Sequence, residues 1–160
     1  MLVRSEKLDD RSAIREIVVE AFGGAQEAEL IDGLRGAGVL AISLVAEIDG
    51  RVCGHVAVSH LKSPSRTLAL APLAVTNTRR RQGVGAALVR RAIDIAKVEG
   101  SEMIFVLGDP AYYRRFGFTA ETAAPFRSLY AGPHFMALKL ADGEIAAAPV
   151  IYDDAFDRLG

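Results

Sequence analysis

Two runs rich in β-branched and apolar residues, Leu44–Ile48 and Arg51–Ser59, meet at Asp49-Gly50, and a third, Leu68–Val75, follows after one polar loop. Asp-Gly suits a two-residue type I′ turn whose twist matches its flanking strands, so the first two runs read as an antiparallel hairpin. Strands in direct succession argue against a doubly wound parallel sheet, where a helix must intervene at each crossover. The expected fold class is therefore α/β, with a mixed, mostly antiparallel sheet flanked by helices.

The remaining elements fit around that hairpin. Leu2–Arg4 reads as a short strand, and Asp9-Asp10-Arg11-Ser12 opens a helix whose apolar positions are Ile14, Ile17, Val18 and Phe22. Gly23-Gly24 ends it, and a second helix from about Gln26 to Leu34 buries Ala28, Leu30, Ile31 and Leu34. Two helices here would close over the sheet rather than join adjacent strands. Pro72 implies a bulge or distortion in the third run, because it has no N–H for a ladder bond. Gly85–Glu99 predicts a long amphipathic helix that Gly100 stops. Met103–Leu107 is apolar throughout and suits a strand covered on both faces. Asp109 and Pro110 cap a short helix, Ala111–Phe116; beyond it lie a weaker strand signal near Phe118 and a stronger one at Phe135–Leu140.

Composition bounds what such a chain does. Its 160 residues carry 19 basic and 20 acidic side chains, a formal net charge of −1 and one cysteine. That length predicts a single domain, 1–160, with 142–160 as an acidic C-terminal extension in which Tyr152 and Phe156 are the candidate docking residues. Near-neutrality argues against nucleic acid as partner, and no apolar stretch approaches the roughly 20 residues that span a bilayer. Cys53 alone allows no internal disulfide and no cysteine-based zinc site, so no metal is expected and a reducing cytoplasm is the default compartment. The mean hydropathy of +0.22 suits either a well-filled core or an apolar homodimer surface.

The only run of three basic residues, Arg79-Arg80-Arg81, lies in Val75-Thr76-Asn77-Thr78-Arg79-Arg80-Arg81-Gln82-Gly83-Val84-Gly85-Ala86, between a strand and a helix. This is the chemistry of an anion cradle. Gly83 and Gly85 permit positive φ and close backbone approach, the helix start offers free N–H groups, and the arginines add charge. Gly85-Ala86-Ala87 lacks the Gly-Lys-Ser/Thr ending of a P-loop, and Leu88 stands where a dinucleotide fingerprint needs Gly or Ala. A nucleotide-binding protein of another fold class is disfavoured on both counts.

Arg80-Arg81-Gln82-Gly83-Val84-Gly85 resembles the Arg/Gln-x-x-Gly-x-Gly/Ala acetyl-CoA signature of the GNAT N-acetyltransferases. Tyr112-Tyr113-Arg114-Arg115-Phe116-Gly117-Phe118 is similar to that family's Leu-Tyr-x-x-x-Gly-Phe segment, at the right distance downstream. Together with Pro72-Leu73-Ala74-Val75 and Gly108-Asp109-Pro110, these segments look most like a bacterial branch of predicted acetyltransferases. Asn77 stands where the family usually has Pro.

The resemblance implies an acetyl-CoA-dependent N-acetyltransferase that uses direct transfer to a primary amine in a ternary complex, the amine being a small molecule or a peptide. Leu73, Ala74 and Val75 would lie on a splayed strand that pairs with the pantetheine arm. Arg80 and the backbone N–H groups of Arg81, Gln82, Gly83, Val84 and Gly85 would hold the pyrophosphate, with Ala86 extending the cradle. Tyr113, four residues before Gly117, takes the place of the general acid; a phenol with pKa near 10 stays protonated at neutral pH and can donate to a leaving thiolate. Tyr112 reads as core, and Arg90, Arg91, Arg114 and Arg115 as a solvated face.

Many relatives carry a glutamate base on the third long strand, but Leu68-Ala69-Leu70-Ala71-Pro72 has no acid. The base is then a water held by backbone carbonyls or a side chain from elsewhere, with His60 and His134 as options. The missing acid and the acidic tail also admit a non-catalytic acyl-CoA-binding or sensing module. The acceptor and the range of acyl chains lie beyond these motifs.

Overall fold

The sheet has six strands in sequence order: β1 (Leu2–Ser5), β2 (Leu40–Ile48), β3 (Arg51–His60), β4 (Thr67–Val75), β5 (Met103–Leu107) and β6 (Phe135–Lys139). Only β4 and β5 pair in parallel; every other neighbouring pair is antiparallel. This computed structural model describes residues 1–159. The hairpin turn falls at Asp49-Gly50, with Ile48 opposite Arg51, as the dipeptide dictates.

Alternation along the strands separates two apolar layers. On one face α3 (Val84–Val98) lays Val84, Leu88, Val89, Ala92 and Ala96 against Leu44, Ala46, Val56, Val58 and Leu70. On the other, α1 (Arg11–Phe22) and α2 (Gln26–Gly36) cover the residues between: Ile14, Ile17, Val18 and Ile31 meet Val45, Ala57 and Ala74. Leu30 and Leu34 join Phe105, Phe126, Phe135 and Phe156 in the same layer, beside the chain terminus. Met103–Val106 is therefore covered on both sides, which is why that run is uninterrupted by polar residues, and only Leu107 at the end of the strand is exposed.

Two expectations need correction. α1 and α2 do cover the sheet, yet they also connect adjacent strands, because β1 returns to pair with the far half of β2, Leu2 opposite Glu47 and Ser5 opposite Leu44. Near Phe118 there is no strand; Thr119 makes a single bridge to Ala137 and then caps a short helix, α5 (Ala120–Ala123), through its hydroxyl at 3.1 Å from Thr122 N. The tail docks as its aromatics suggest: Phe156 is buried with its ring tilted against that of Tyr152 at 4.9 Å, and the 3-10 turn Asp154–Leu159 lies against α2. Among the described residues no helix is long and apolar enough to cross a membrane.

Candidate active site

The site begins as an opening in the sheet. β4 and β5 pair through Thr67, Leu68 and Ala69 alone. Beyond Ala69 the later residues of β4 keep ladder partners on β3, while Val106 and Leu107 stay with β6. Backbone groups of β4 that point away from β3 there have no strand to meet. Val56 stands opposite Leu73 and Val58 opposite Leu70, so β4 carries one extra residue across Ala71-Pro72. The distortion expected at Pro72 is this bulge, and it bends β4 where the strands part.

The start of α3 faces that opening. Gly83 is its N-cap with φ 81°, a left-handed conformation that favours glycine, and no side chain caps the helix. The first helical bond runs from Ala87 N to Gly83 O at 3.0 Å, so the N–H groups of Val84, Gly85 and Ala86 have no acceptor within the helix. Gly85 is helical, and its lack of a side chain serves close approach: a β-carbon there would lie 2.6 Å from the Tyr112 hydroxyl.

These groups line a cleft of about 620 Å³ with Leu73, Ala74, Val75, Arg80, Arg81, Gly83, Val84, Gly85 and Ala86 on its walls. Gln82 turns its amide aside to donate to Thr78 O at 3.1 Å, which leaves its backbone N–H as its contribution. Arg79 and Arg115 also line the cleft, and no carboxylate does. Four guanidinium groups and free helix N–H groups favour a polyanion such as a diphosphate.

One assignment changes here. Tyr112 lines the cleft rather than the core, while Arg115 is exposed as expected and lays its guanidinium over the Tyr112 ring, 4.3 Å from the centroid. The cause is local geometry. Asp109 caps α4 (Pro110–Tyr113) at 3.0 Å from Ala111 N, but the next turn, Arg114–Phe116, tightens to 3-10, where residues three apart eclipse. An α-helical wheel drawn through residue 116 misplaces Tyr112.

A second chamber of about 690 Å³ adjoins the first and shares Phe22 and Leu73 with it. Tyr113 lies in this chamber, edge-on to Tyr112 at 5.0 Å and Phe118 at 5.9 Å. Burial, reinforced by neighbouring Tyr112, pushes its phenol pKa up to about 12. The opposite wall comes from parts of the chain that no local motif connects: Glu27 of α2, the 129–130 loop, and Tyr152 and Phe156 of the tail.

Neither histidine option enters the opening. His60 is exposed at the end of β3, and His134 places Nδ1 3.1 Å from Gly108 O; neither lines a chamber. His55 is wholly buried opposite Ala74, with Nε2 2.8 Å from Ser43 Oγ, and desolvation lowers its pKa to about 4. Ser43 in turn hydrogen-bonds Glu6, whose carboxylate accepts from Arg35 at 2.9 Å. Cys53 is buried core. Among the described residues there is no cluster of three or more metal-ligating side chains.

Comparison with known proteins agrees with this geometry. The profile of the acetyltransferase (GNAT) family matches residues 12–118. The uncharacterized N-acetyltransferase YhbS of Escherichia coli is 34% identical over 167 residues, spanning 99% of this chain and 100% of its own. The structure of YhbS in complex with CoA superimposes with TM-score 0.90 at 33% identity, covering 99% of this chain and 93% of the other. A GNAT family acetyltransferase from Brucella melitensis in complex with acetyl-CoA gives TM-score 0.83 at 32% identity, covering 98% and 97%.

Proposed function

The chain belongs to the GNAT family of N-acetyltransferases, and on that premise we propose that it moves an acetyl group from acetyl-CoA to a primary amine by direct attack within a ternary complex. The observation that carries the reading is that the two chambers adjoin, sharing Phe22 and Leu73 in their walls. A basic cradle with free helix N–H groups opens, along the unpaired edge of β4, onto the chamber that holds Tyr113. A long thioester fits that layout end to end. Arg80, Arg81 and the N–H groups of Gln82 to Ala86 take the pyrophosphate, Leu73, Ala74 and Val75 pair with the pantetheine amides, and the thioester reaches the second chamber.

Acetyl-CoA supplies an activated acyl carbon. The neutral amine nitrogen bonds to that carbon as the carbon–sulfur bond breaks, giving an amide and CoA thiol. Tyr113 donates its phenolic proton to the departing sulfur and recovers one from solvent, which receives the proton that the nitrogen sheds. Its raised pKa keeps the phenol protonated across the physiological range. No intermediate on the protein is required, and Cys53, buried outside both chambers, is placed for none. A lone buried thiol suits a reducing cytoplasm.

The test is release of free CoA thiol from acetyl-CoA across a panel of amines. Turnover with at least one amine class supports transfer. Tight acetyl-CoA binding with no thiol release from any acceptor overturns it in favour of a binding module.

A further inference from the structure

The chamber beyond Tyr113 has one ionised wall residue among those described, Glu27, in the first turn of α2. Its other side chains are hydrocarbon or phenol, and the unpaired backbone groups of β4 beyond Ala69 are the remaining polar surface. Glu27 is half-buried and has no cationic partner among the described residues. Apolar side chains ring the mouth and remain open to solvent: Phe22 is 45% exposed, Leu107 49% and Leu129 98%. Tyr130 and Tyr152 meet edge-to-face at 5.3 Å on the same wall.

Resting on the acetyl-transfer reading above, we propose that the acceptor is a small monoamine on an apolar, aryl-alkyl body, and that Glu27 is the residue that selects its ammonium group. One carboxylate neutralises one ammonium. A polyamine or an aminoglycoside brings several, and each extra cation would be desolvated against hydrocarbon without a partner. A free amino acid brings a carboxylate, for which this chamber offers no basic side chain among the described residues. An aryl-alkyl body meets none of these penalties and covers Phe22, Leu107 and Leu129, removing their exposed apolar surface from water. Glu27 stands where the amine arrives as its cation; transfer then proceeds from the neutral fraction.

The experiment uses the full chain with acetyl-CoA and five acceptors: phenethylamine, tryptamine, spermidine, lysine and kanamycin. Thiol release should give kcat/KM for the two aryl-alkyl monoamines at least ~10-fold above the others, the equivalent of about 1.4 kcal/mol. Glu27→Gln should lower kcat/KM for phenethylamine by ~10-fold or more, mainly through KM, as loss of a charge-assisted contact predicts. Acetyl-CoA affinity and melting temperature of that variant should stay near the parent's. Glu29→Gln, in the same helical turn but exposed, should leave kcat and KM within about twofold, which separates ion pairing from a helix-dipole effect. A second arm titrates phenethylamine into the protein saturated with CoA. Binding that Glu27→Gln abolishes supports the inference even if no amine releases thiol, in which case acetyl transfer alone fails. Faster turnover of spermidine, lysine or kanamycin, or an unchanged Glu27→Gln variant, overturns the inference and leaves acetyl transfer standing.

Discussion

The Tyr112 hydroxyl occupies the space that a side chain on Gly85 would need, 2.6 Å from where its β-carbon would lie. The second glycine of the cradle is thus tied to an aromatic residue 27 positions later in the chain. Gly85→Ala should weaken acetyl-CoA binding by ~10-fold, because the phenol, Arg115 stacked on it and the phosphate-facing backbone must all shift. Adding Tyr112→Phe removes the colliding atom and should restore part of that affinity. Isothermal titration of the single and double variants measures the coupling; a double variant no better than Gly85→Ala would mean that the new methyl blocks the ligand itself.

Removing charge from the cradle should act on binding rather than on chemistry. Arg80→Ala should raise the acetyl-CoA dissociation constant by ~10-fold or more, in line with 1.5–3 kcal/mol for a hydrogen bond to a charged group. Arg115→Ala should give a smaller loss, since its guanidinium is already engaged with the Tyr112 ring. Both losses should shrink as salt rises.

Tyr113→Phe should reduce kcat by ~100-fold or more while acetyl-CoA affinity stays within about twofold, the signature of a proton donor and not of a binding group. Because burial holds the phenol near pKa 12, the acid form persists through pH 10. The kcat profile should therefore rise as the amine deprotonates and show no alkaline fall below about pH 11. A descending limb near pH 9 would remove Tyr113 from the role.

His55 makes stability fall with acid. Its folded pKa of about 4 lies below the ordinary 6.5, so between those values the unfolded chain binds a proton that the folded one refuses. Stability is fullest above pH 6.5 and is lost as pH falls toward 4, by up to about 3 kcal/mol for a single site. The lowered pKa of Glu6, held down by Ser43 and Arg35 against the cost of burial, adds loss in the same direction at lower pH. Chemical denaturation across pH 4–7 should show this slope, and His55→Gln should flatten the upper part of it whatever it does to absolute stability.

The tail is a wall of the chamber that holds Tyr113 as well as part of the core. Phe156→Ala, at a site 6% exposed, should cost about 3 kcal/mol in global stability. Tyr152→Leu keeps most of the packing volume and should shift acceptor KM with little change in acetyl-CoA affinity. Equal loss of acceptor and acetyl-CoA affinity in Tyr152→Leu would reduce the tail to scaffold.

What the amino-acid sequence determined by itself is whatever depends on a short stretch of backbone. The Asp49-Gly50 turn, the strand Met103–Leu107, the Pro72 bulge and the capped start at Asp109 each follow from local stereochemistry and were legible residue by residue. So was the basic, glycine-rich turn from Arg79 to Ala86, because a cleft wall of free helix N–H groups is written in consecutive residues. Tertiary structure alone decided which distant surfaces meet. Glu27 reads on paper as one more charge on the polar side of α2, and Tyr152 as a tail residue; only the packing of α2, the tail and the parted edges of β4 and β5 gives them a common chamber. The pairing of β1 with β2 escaped for the same reason, whereas Tyr112 escaped because the turn after α4 tightens to 3-10. Periodicity reports which face of an element is apolar, whereas the partner that covers it is chosen by shape and burial summed over the whole chain.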